Sequence, residues 1–126
     1  MPRPKRTEYA VELDSREPAA FDPAWTPEHL LLAALARCSL GALAHHAKRD
    51  GLTAEASARA TGAVSRREDG SWGFVEIECA IEATLEPAPS DPADLLARAE
   101  RGCFVGASLS PKPRYEWIVN GRGAPA

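Results

Sequence analysis

The stretch TPEHLLLAALARC, from Thr26 to Cys38, joins a strong helix start to a long apolar helix, around which the rest of the fold must pack. The Thr26 hydroxyl can cap the helix, and Pro27 suits the first helical position, where a backbone N–H has no partner anyway. The apolar pattern runs on through Leu43 to a stop at Gly51, which predicts a helix of about 24 residues. Its apolar residues cover more than one face, so this helix needs burial on several sides.

The flanking segments predict strands. Residues 7–13, TEYAVEL, alternate apolar and polar side chains at a period of two. Two longer strand segments, 52–68 and 73–87, are joined by DGSW, whose Asp-Gly pair suits a hairpin turn. One side of the second segment is predicted to be apolar and to consist of Val75, Ile77, Cys79 and Ile81. Its other side carries glutamates, which indicates a sheet with one face in water.

A second helix is predicted over 90–103, SDPADLLARAERGC, with Asp91 as its cap and Pro92 in its first turn. Residues 114–120, RYEWIVN, supply a last short strand, and 121–126 are predicted to be a tail.

The element order β-α-β-β-α-β predicts an α+β fold, in which an antiparallel sheet packs against a long central helix. We expect one domain over 1–126, flexible at 1–6 and 121–126. One sheet face covers only part of so apolar a helix, so an intertwined homodimer is predicted to bury the rest.

The composition makes several partners unlikely. The net charge is -3 and the pI is near 5.6, so there is no basic footprint for nucleic acid. The longest apolar run, Leu30 to Ala36, has seven residues, against about 20 needed to cross a bilayer, so no membrane partner is expected. The basic N-terminus is not followed by an apolar signal region, which favours a cytoplasmic location.

The three cysteines are an odd number without C-x-x-C spacing, so each thiol is interpreted separately. Cys79 lies on an apolar strand side and is predicted to be a buried hydrophobe. Cys38 stands among Ala and Leu beside Arg37, and both a core thiol and a reactive thiol fit that position. Cys103 follows Gly102 where a helix breaks and restarts, which would expose its thiol in part, although packing is the simpler interpretation of this residue alone.

The motifs TPEHLLLAALARC and AERGCFVGASL, whose cysteines are 65 residues apart, resemble the OsmC/Ohr family of osmotically induced and organic hydroperoxide resistance proteins. The resemblance covers roughly residues 26–110. It implies that Cys38 attacks the O–O bond of a peroxide as a thiolate and becomes a sulfenic acid. It also implies that Cys103 resolves this acid to a disulfide, and that Glu28 belongs to the active site.

Glu28 precedes Cys38 by ten residues. Along a straight helix this is about 15 Å, with the two side chains about 80° apart, so Glu28 cannot touch the thiol of its own chain. We therefore predict that Glu28 approaches Cys38 of the partner subunit, across antiparallel packing of the two long helices. The alternative is that Glu28 only complements the helix dipole in the first turn.

A carboxylate beside a thiol raises the thiol pKa, so a cation must also be present. In the family an arginine of an N-terminal hairpin plays this part, and here no residue matches it, because only 27 residues precede Glu28. Arg16 is the best local candidate, and Arg3, Arg6 and Arg37 are others. Each of these could equally be a solvated surface charge.

His45 and His46 could serve a metal or a proton relay, but adjacent helical side chains point about 100° apart and cannot face one ion. No metal and no bound cofactor are expected. Aromatic residues near Trp25 could line an apolar cleft for a peroxide.

The leading hypothesis is a homodimeric cysteine peroxidase that reduces organic hydroperoxides and is regenerated by a dithiol reductant, which the resemblance suggests is of the lipoyl type. The first alternative is an OsmC-fold dimeric binding or stress-associated protein without significant peroxidase activity. The second is a thiol carrier or modifying enzyme with Cys38 as nucleophile, which would form a covalent adduct and no disulfide.

Overall fold

Eight elements follow one another in the computed structural model, which describes residues 5–15 and 21–125. They are β1 (Arg6–Asp14), α1 (Pro27–Arg49), β2 (Thr53–Arg66), β3 (Trp72–Glu86), α2 (Ala93–Arg101), α3 (Phe104–Ser108), β4 (Arg114–Val119) and β5 (Arg122–Ala124). The fold is of the mixed α+β type, as the element order predicts.

The five strands form one sheet in the order β1-β2-β3-β4-β5. The prediction of an antiparallel sheet is wrong at one place, because β3 and β4 pair in parallel, with Cys79 opposite Tyr115. The chain between these strands passes through α2 and α3. This crossover returns the chain to the end of the sheet at which β3 begins, so β4 runs in the same direction as β3.

The predicted start of α1 is confirmed. The Thr26 hydroxyl accepts a hydrogen bond from the His29 N–H at 3.3 Å, and the His29 ring nitrogen Nδ1 accepts one from the Thr26 N–H at 3.1 Å. This reciprocal pair is a capping box in which histidine replaces the usual Glu or Gln. The helix ends at Arg49, and Gly51 follows with a φ of +78°, a conformation that favours glycine.

One face of α1 packs on the sheet and forms most of the core. Its buried residues are Leu32, Ala33, Leu35, Ala36, Ser39, Leu40, Leu43 and Ala47. The opposite face carries Leu30, 44% exposed, together with exposed Ala34 and Gly41. By length and composition α1 could cross a membrane, but the core helix of a soluble protein passes the same test, and 44% of the relevant window is buried here.

The long β2–β3 hairpin turns at Gly70, which has a φ of +87°. Ile77, Cys79 and Ile81 face the core as predicted, whereas the prediction for Val75 is wrong, since it is 36% exposed. A bulge in β3 accounts for the difference. Ala63 of β2 pairs with Glu76, and the next residue, Val64, pairs with Phe74, so Val75 has no partner on β2.

The C-terminal segment is not simply a tail, because Arg122–Ala124 form β5 against β4. Asn120 and Gly121 make the connecting turn with φ values of 51° and 81°, the pattern of a tight hairpin. The Asn120 amide also exchanges two hydrogen bonds with the backbone of Leu85. At the other end Arg6 opens β1, so it is not part of a flexible arm.

The second helix is shorter than predicted, since α2 covers only Ala93–Arg101. Asp91 accepts a hydrogen bond from the Ala93 N–H at 3.0 Å, so it helps to order the helix start, although Pro92 occupies the cap position. The helix breaks at Gly102 and restarts as α3, as the sequence predicts.

Candidate thiol site

The fold brings Cys38 and Cys103 together. Cys38 lies on α1 and Cys103 is the cap residue of α3, and the two thiols are close enough for each to shift the pKa of the other. Cys38 is half-buried, whereas Cys103 is fully buried. The simpler interpretation of Cys103, packing, is therefore confirmed and partial exposure of its thiol is wrong, because this residue lies in the core.

The close packing at the helix break favours glycine at position 102. A Cβ at this position would lie 2.9 Å from Nε2 of His46 and 3.2 Å from the carbonyl oxygen of Arg98. The absence of a side chain lets α2 end close against α1, and this close packing positions Cys103 beside Cys38.

Several donors surround the Cys103 sulfur. The Gly106 N–H and the Ser39 hydroxyl each lie 3.4 Å from Sγ, and Tyr115 is a further hydrogen-bond partner. Burial on its own raises the pKa of the Cys103 thiol, but these donors and the Cys38 thiol outweigh it, so the pKa lies below its ordinary value.

The Cys38 thiol behaves in the opposite way. Burial raises its pKa, and Cys103 raises it further, while the N–H groups of Phe104 and Val105 act against this effect. Within one subunit the hydrogen-bond donors therefore converge on Cys103 and not on Cys38. The role that the resemblance assigns to Cys38 as the ionised thiol therefore requires a further positive charge near Cys38.

Cys79 is a third thiol at the same place. It is fully buried, as predicted, and burial raises its pKa to about 11, although a hydrogen bond from Ser39 opposes the effect. Its thiolate fraction at neutral pH is therefore about one in 10⁴. Cys79 is thus a protonated neighbour of the reactive pair, and the alternation of β3 gave no sign of this closeness.

Sequence reasoning missed Ser39 and Tyr115. Ser39 is almost completely buried, and its hydroxyl lies 3.4 Å from both the Cys103 sulfur and the Tyr115 hydroxyl oxygen. Burial and contact with Cys103 raise the pKa of Tyr115, so it is a neutral donor. A serine on the apolar face of α1, next to Cys38, was a usable signal, whereas the position of Tyr115 depends on the parallel pairing of β3 and β4.

Glu28 lies elsewhere in the subunit. It is half-buried and lines a pocket of about 380 Å³ together with Tyr9, Trp72 and Phe74, and neither Cys38 nor Cys103 lines this pocket. The helix geometry already separates Glu28 from Cys38 of the same chain. Its predicted approach to the partner's Cys38 concerns the dimer and stays a prediction.

The four candidate arginines differ in position. Arg16 and Arg3 lie outside the described residues. Arg6 forms ion pairs with Glu8 and Glu76 on the exposed face of the sheet. Arg37 is exposed on α1, one residue before Cys38.

The two adjacent histidines pack edge to face, with ring centroids 5.0 Å apart. Burial lowers the pKa of His46, and its Nδ1 has no hydrogen-bond partner in the described part of the chain. Residues 5–15 and 21–125 contain no group of three side chains able to hold a metal ion. The His46 ring instead packs over Gly102, where α2 ends.

These features describe a small α+β protein in which a buried thiol, Cys103, lies near a half-buried one, Cys38. The family model described as OsmC-like protein matches residues 20–117, and the chain belongs to the OsmC-like family. A search of curated protein sequences gives no significant match.

Solved structures share the fold. An OsmC-like protein of unknown function from Vibrio cholerae is 18% identical with a TM-score of 0.66, and the match covers 73% of this chain and 63% of that one, less than two thirds of its length. An OsmC-like protein from Mycoplasma pneumoniae is 18% identical with a TM-score of 0.64, covering 93% and 96% of the two chains. The organic hydroperoxide resistance protein OhrB of Bacillus subtilis is 21% identical with a TM-score of 0.52, covering 75% and 70%.

Proposed function

We propose that this protein is a thiol-dependent peroxidase that reduces organic hydroperoxides, with Cys38 as the peroxidatic and Cys103 as the resolving cysteine. The observation that supports this most is the proximity of two thiols 65 residues apart, one accessible in part and the other buried. A peroxide can approach only the first of them, and the second is a neighbouring thiol that can resolve the sulfenic acid.

The proposed reaction has three balanced steps. The Cys38 thiolate attacks the distal oxygen of ROOH, and with one proton taken up this gives Cys38 sulfenic acid and ROH. The Cys103 thiolate attacks the sulfenic sulfur, and hydroxide leaves as water after protonation, which forms the Cys38–Cys103 disulfide. A dithiol, for which the resemblance suggests a lipoyl group, then reduces this disulfide and itself becomes oxidised.

An apolar substrate is favoured by the surroundings of the thiols. Phe104, next to Cys103, is 79% exposed, and its N–H is among the groups that act on Cys38. Burying a carbon chain against such a surface contributes about 0.8 kcal/mol per CH₂, which would favour organic hydroperoxides over hydrogen peroxide. The similar structure from Bacillus subtilis is described as an organic hydroperoxide resistance protein.

We further infer a homodimer with two active sites. The outward face of α1 carries exposed Leu30, Ala34 and Gly41, and Cys38 lies about 40–80° from these residues around the helix. A second α1 packed there would lie next to the thiol, and in an antiparallel arrangement it would bring the partner's Glu28. Arg16 remains our first candidate for the cation that would ionise Cys38.

A single OsmC-like domain over 1–126 and a cytoplasmic location complete the proposal. The OsmC-like fold is a soluble one, and free thiols persist best in a reducing compartment.

Intact-mass spectrometry tests the proposal directly. One equivalent of cumene hydroperoxide should remove two hydrogens from the reduced protein, and peptide mapping should place the bond between Cys38 and Cys103. Cys38→Ser should abolish peroxide consumption, and Cys103→Ser should yield a sulfenic acid that dimedone traps. Cys79→Ser is the matched control and should behave like the native protein. A disulfide between any other pair, or none, would contradict the proposal.

One observation favours the alternative of an OsmC-fold binding or stress-associated protein. The pKa of Cys38 is raised within the subunit, which disfavours the nucleophile that a peroxidase needs. Stopped-flow mixing with cumene hydroperoxide and a dithiol separates the two functions. A rate no higher than that of Cys38→Ser would support the alternative.

A further inference from the structure

The polar side chains around the two thiols are distributed unequally. The Ser39 hydroxyl lies 3.4 Å from Cys103 Sγ and 3.4 Å from the Tyr115 hydroxyl, which also acts on the Cys103 thiol, and the Gly106 N–H donates to Cys103 Sγ. The N–H groups of Phe104 and Val105 act on the Cys38 thiol, and Cys38 is the residue of the two that is accessible in part. The surroundings of Cys103 therefore stabilise negative charge on its sulfur, whereas Cys38 is open to attack.

This asymmetry matters when the disulfide is reduced. A thiolate attacks one sulfur of a disulfide, and the other sulfur leaves with the bonding electrons; the lower the pKa of the leaving thiol, the faster it leaves. A bulky dithiol can approach the half-buried Cys38 but not Cys103, which has no exposed surface. Access and leaving-group stabilisation therefore select the same direction of attack.

We propose that Ser39 and Tyr115 stabilise Cys103 as the leaving thiolate, so that the reductant always forms its mixed disulfide with Cys38. The inference rests on the proposed function, because it concerns the Cys38–Cys103 disulfide. The reductant thiolate bonds to Cys38 Sγ while the Cys38–Cys103 bond breaks and its electron pair goes to Cys103 Sγ. The second reductant thiol then displaces Cys38, which leaves the reductant as a disulfide, and solvent protons restore the thiols.

Cys79 does not compete in this step. It shares the Ser39 hydroxyl with Cys103, but its pKa of about 11 keeps it protonated at neutral pH. Attack by Cys79 on the disulfide would require its thiolate, which is scarce under these conditions.

The direction of attack can be mapped without any peroxide. The native protein is oxidised with diamide, which separates this test from peroxidase activity, and is then freed of diamide and mixed with an excess of the monothiol glutathione. N-ethylmaleimide at neutral pH blocks the released thiol, and peptide mass spectrometry locates both groups. We expect the glutathione on Cys38 and the maleimide on Cys103. The reverse assignment, or failure of diamide to form the disulfide, would overturn the inference.

The role of the hydroxyl groups is tested with Tyr115→Phe and Ser39→Ala. Reduction of the preformed disulfide by dihydrolipoamide should slow about 3- to 10-fold in each variant, because a charge-assisted hydrogen bond to the leaving thiolate is lost. In a Cys38→Ser background, thiolate absorbance at 240 nm should show the Cys103 pKa rising by about one unit for Tyr115→Phe.

Ser71→Ala is the control, since Ser71 lies in the exposed turn between β2 and β3, where its hydroxyl donates to Asp69. It should change neither the reduction rate nor the Cys103 titration. Circular dichroism establishes that each variant is folded. If Tyr115→Phe folds normally and leaves both measurements unchanged, the assigned role is wrong.

Discussion

Substitution of Gly106 by alanine tests the packing behind the thiols. A Cβ at position 106 would lie 2.6 Å from the Tyr115 hydroxyl oxygen, whereas ordinary contact begins at 3.4 Å, so the Tyr115 ring would have to retreat by about 0.8 Å. The ring cannot retreat freely, because it stacks on Trp117 with centroids 5.9 Å apart. Overpacking of this kind costs about 1–3 kcal/mol, so Gly106→Ala should lower the free energy of unfolding by that amount.

The measurement is urea denaturation followed by circular dichroism at one protein concentration. Gly123→Ala is the matched control, because a Cβ there meets nothing within 4 Å, and it should stay within about 0.5 kcal/mol of the native protein. A double-mutant cycle sharpens the test. Tyr115→Phe removes the one atom that clashes, so Gly106→Ala should cost less in that background, with a coupling of about 1 kcal/mol or more.

Two results would refute this reasoning. Gly106→Ala could match the Gly123→Ala control in stability, which would mean that Tyr115 is not held in place. Alternatively the two substitutions could prove additive, which would mean that the loss arises from the backbone and not from contact with the hydroxyl.

Three further predictions concern a helix cap, a hydrogen bond of a buried indole and an ion pair. Thr26→Ala should lower stability by about 1 kcal/mol in thermal melts, because α1 loses its capping hydroxyl, while Thr26→Ser should retain most of it. Glu100→Ala should lower the free energy of unfolding, measured in urea, by about 1–3 kcal/mol, because the buried Trp117 indole N–H loses its acceptor. That N–H lies 2.8 Å from a Glu100 oxygen. Glu100→Gln should retain most of this stability. Arg98 donates a hydrogen bond to Asp50, which holds the pKa of this carboxyl below its ordinary value. The Asp50 carboxylate therefore stabilises the fold above about pH 4. This contribution is lost as the pH falls through the folded-state pKa of Asp50. Asp50→Asn should therefore flatten the acid limb of a plot of Tm against pH, and an unchanged acid limb would count against the ion pair.

The helices and strands whose signals are local could be predicted well. The start of α1 at Thr26 follows from a cap and a proline, and the Asp-Gly turn between β2 and β3 follows from the backbone freedom of glycine. Both are decided by interactions within a few residues. The two motifs that surround Cys38 and Cys103 likewise indicated the family, which the family match then showed.

The errors lie where distant parts of the chain meet. Strict alternation along β3 predicts Val75 on the core face, and a bulge opposite Ala63 moves it out. The parallel pairing of β4 with β3 and the short strand β5 depend on how α2 and α3 return the chain, which no local pattern encodes.

The sequence alone determined the long helix, the amphipathic strands and the two cysteines that signal the family, because capping, periodicity and motif spacing act over short stretches of chain. The burial of Cys103 near the hydroxyl groups of Ser39 and Tyr115, with Cys79 beside them, depends instead on how distant elements pack. The pKa order of the thiols follows from that arrangement, since donors and burial act through space and not along the chain.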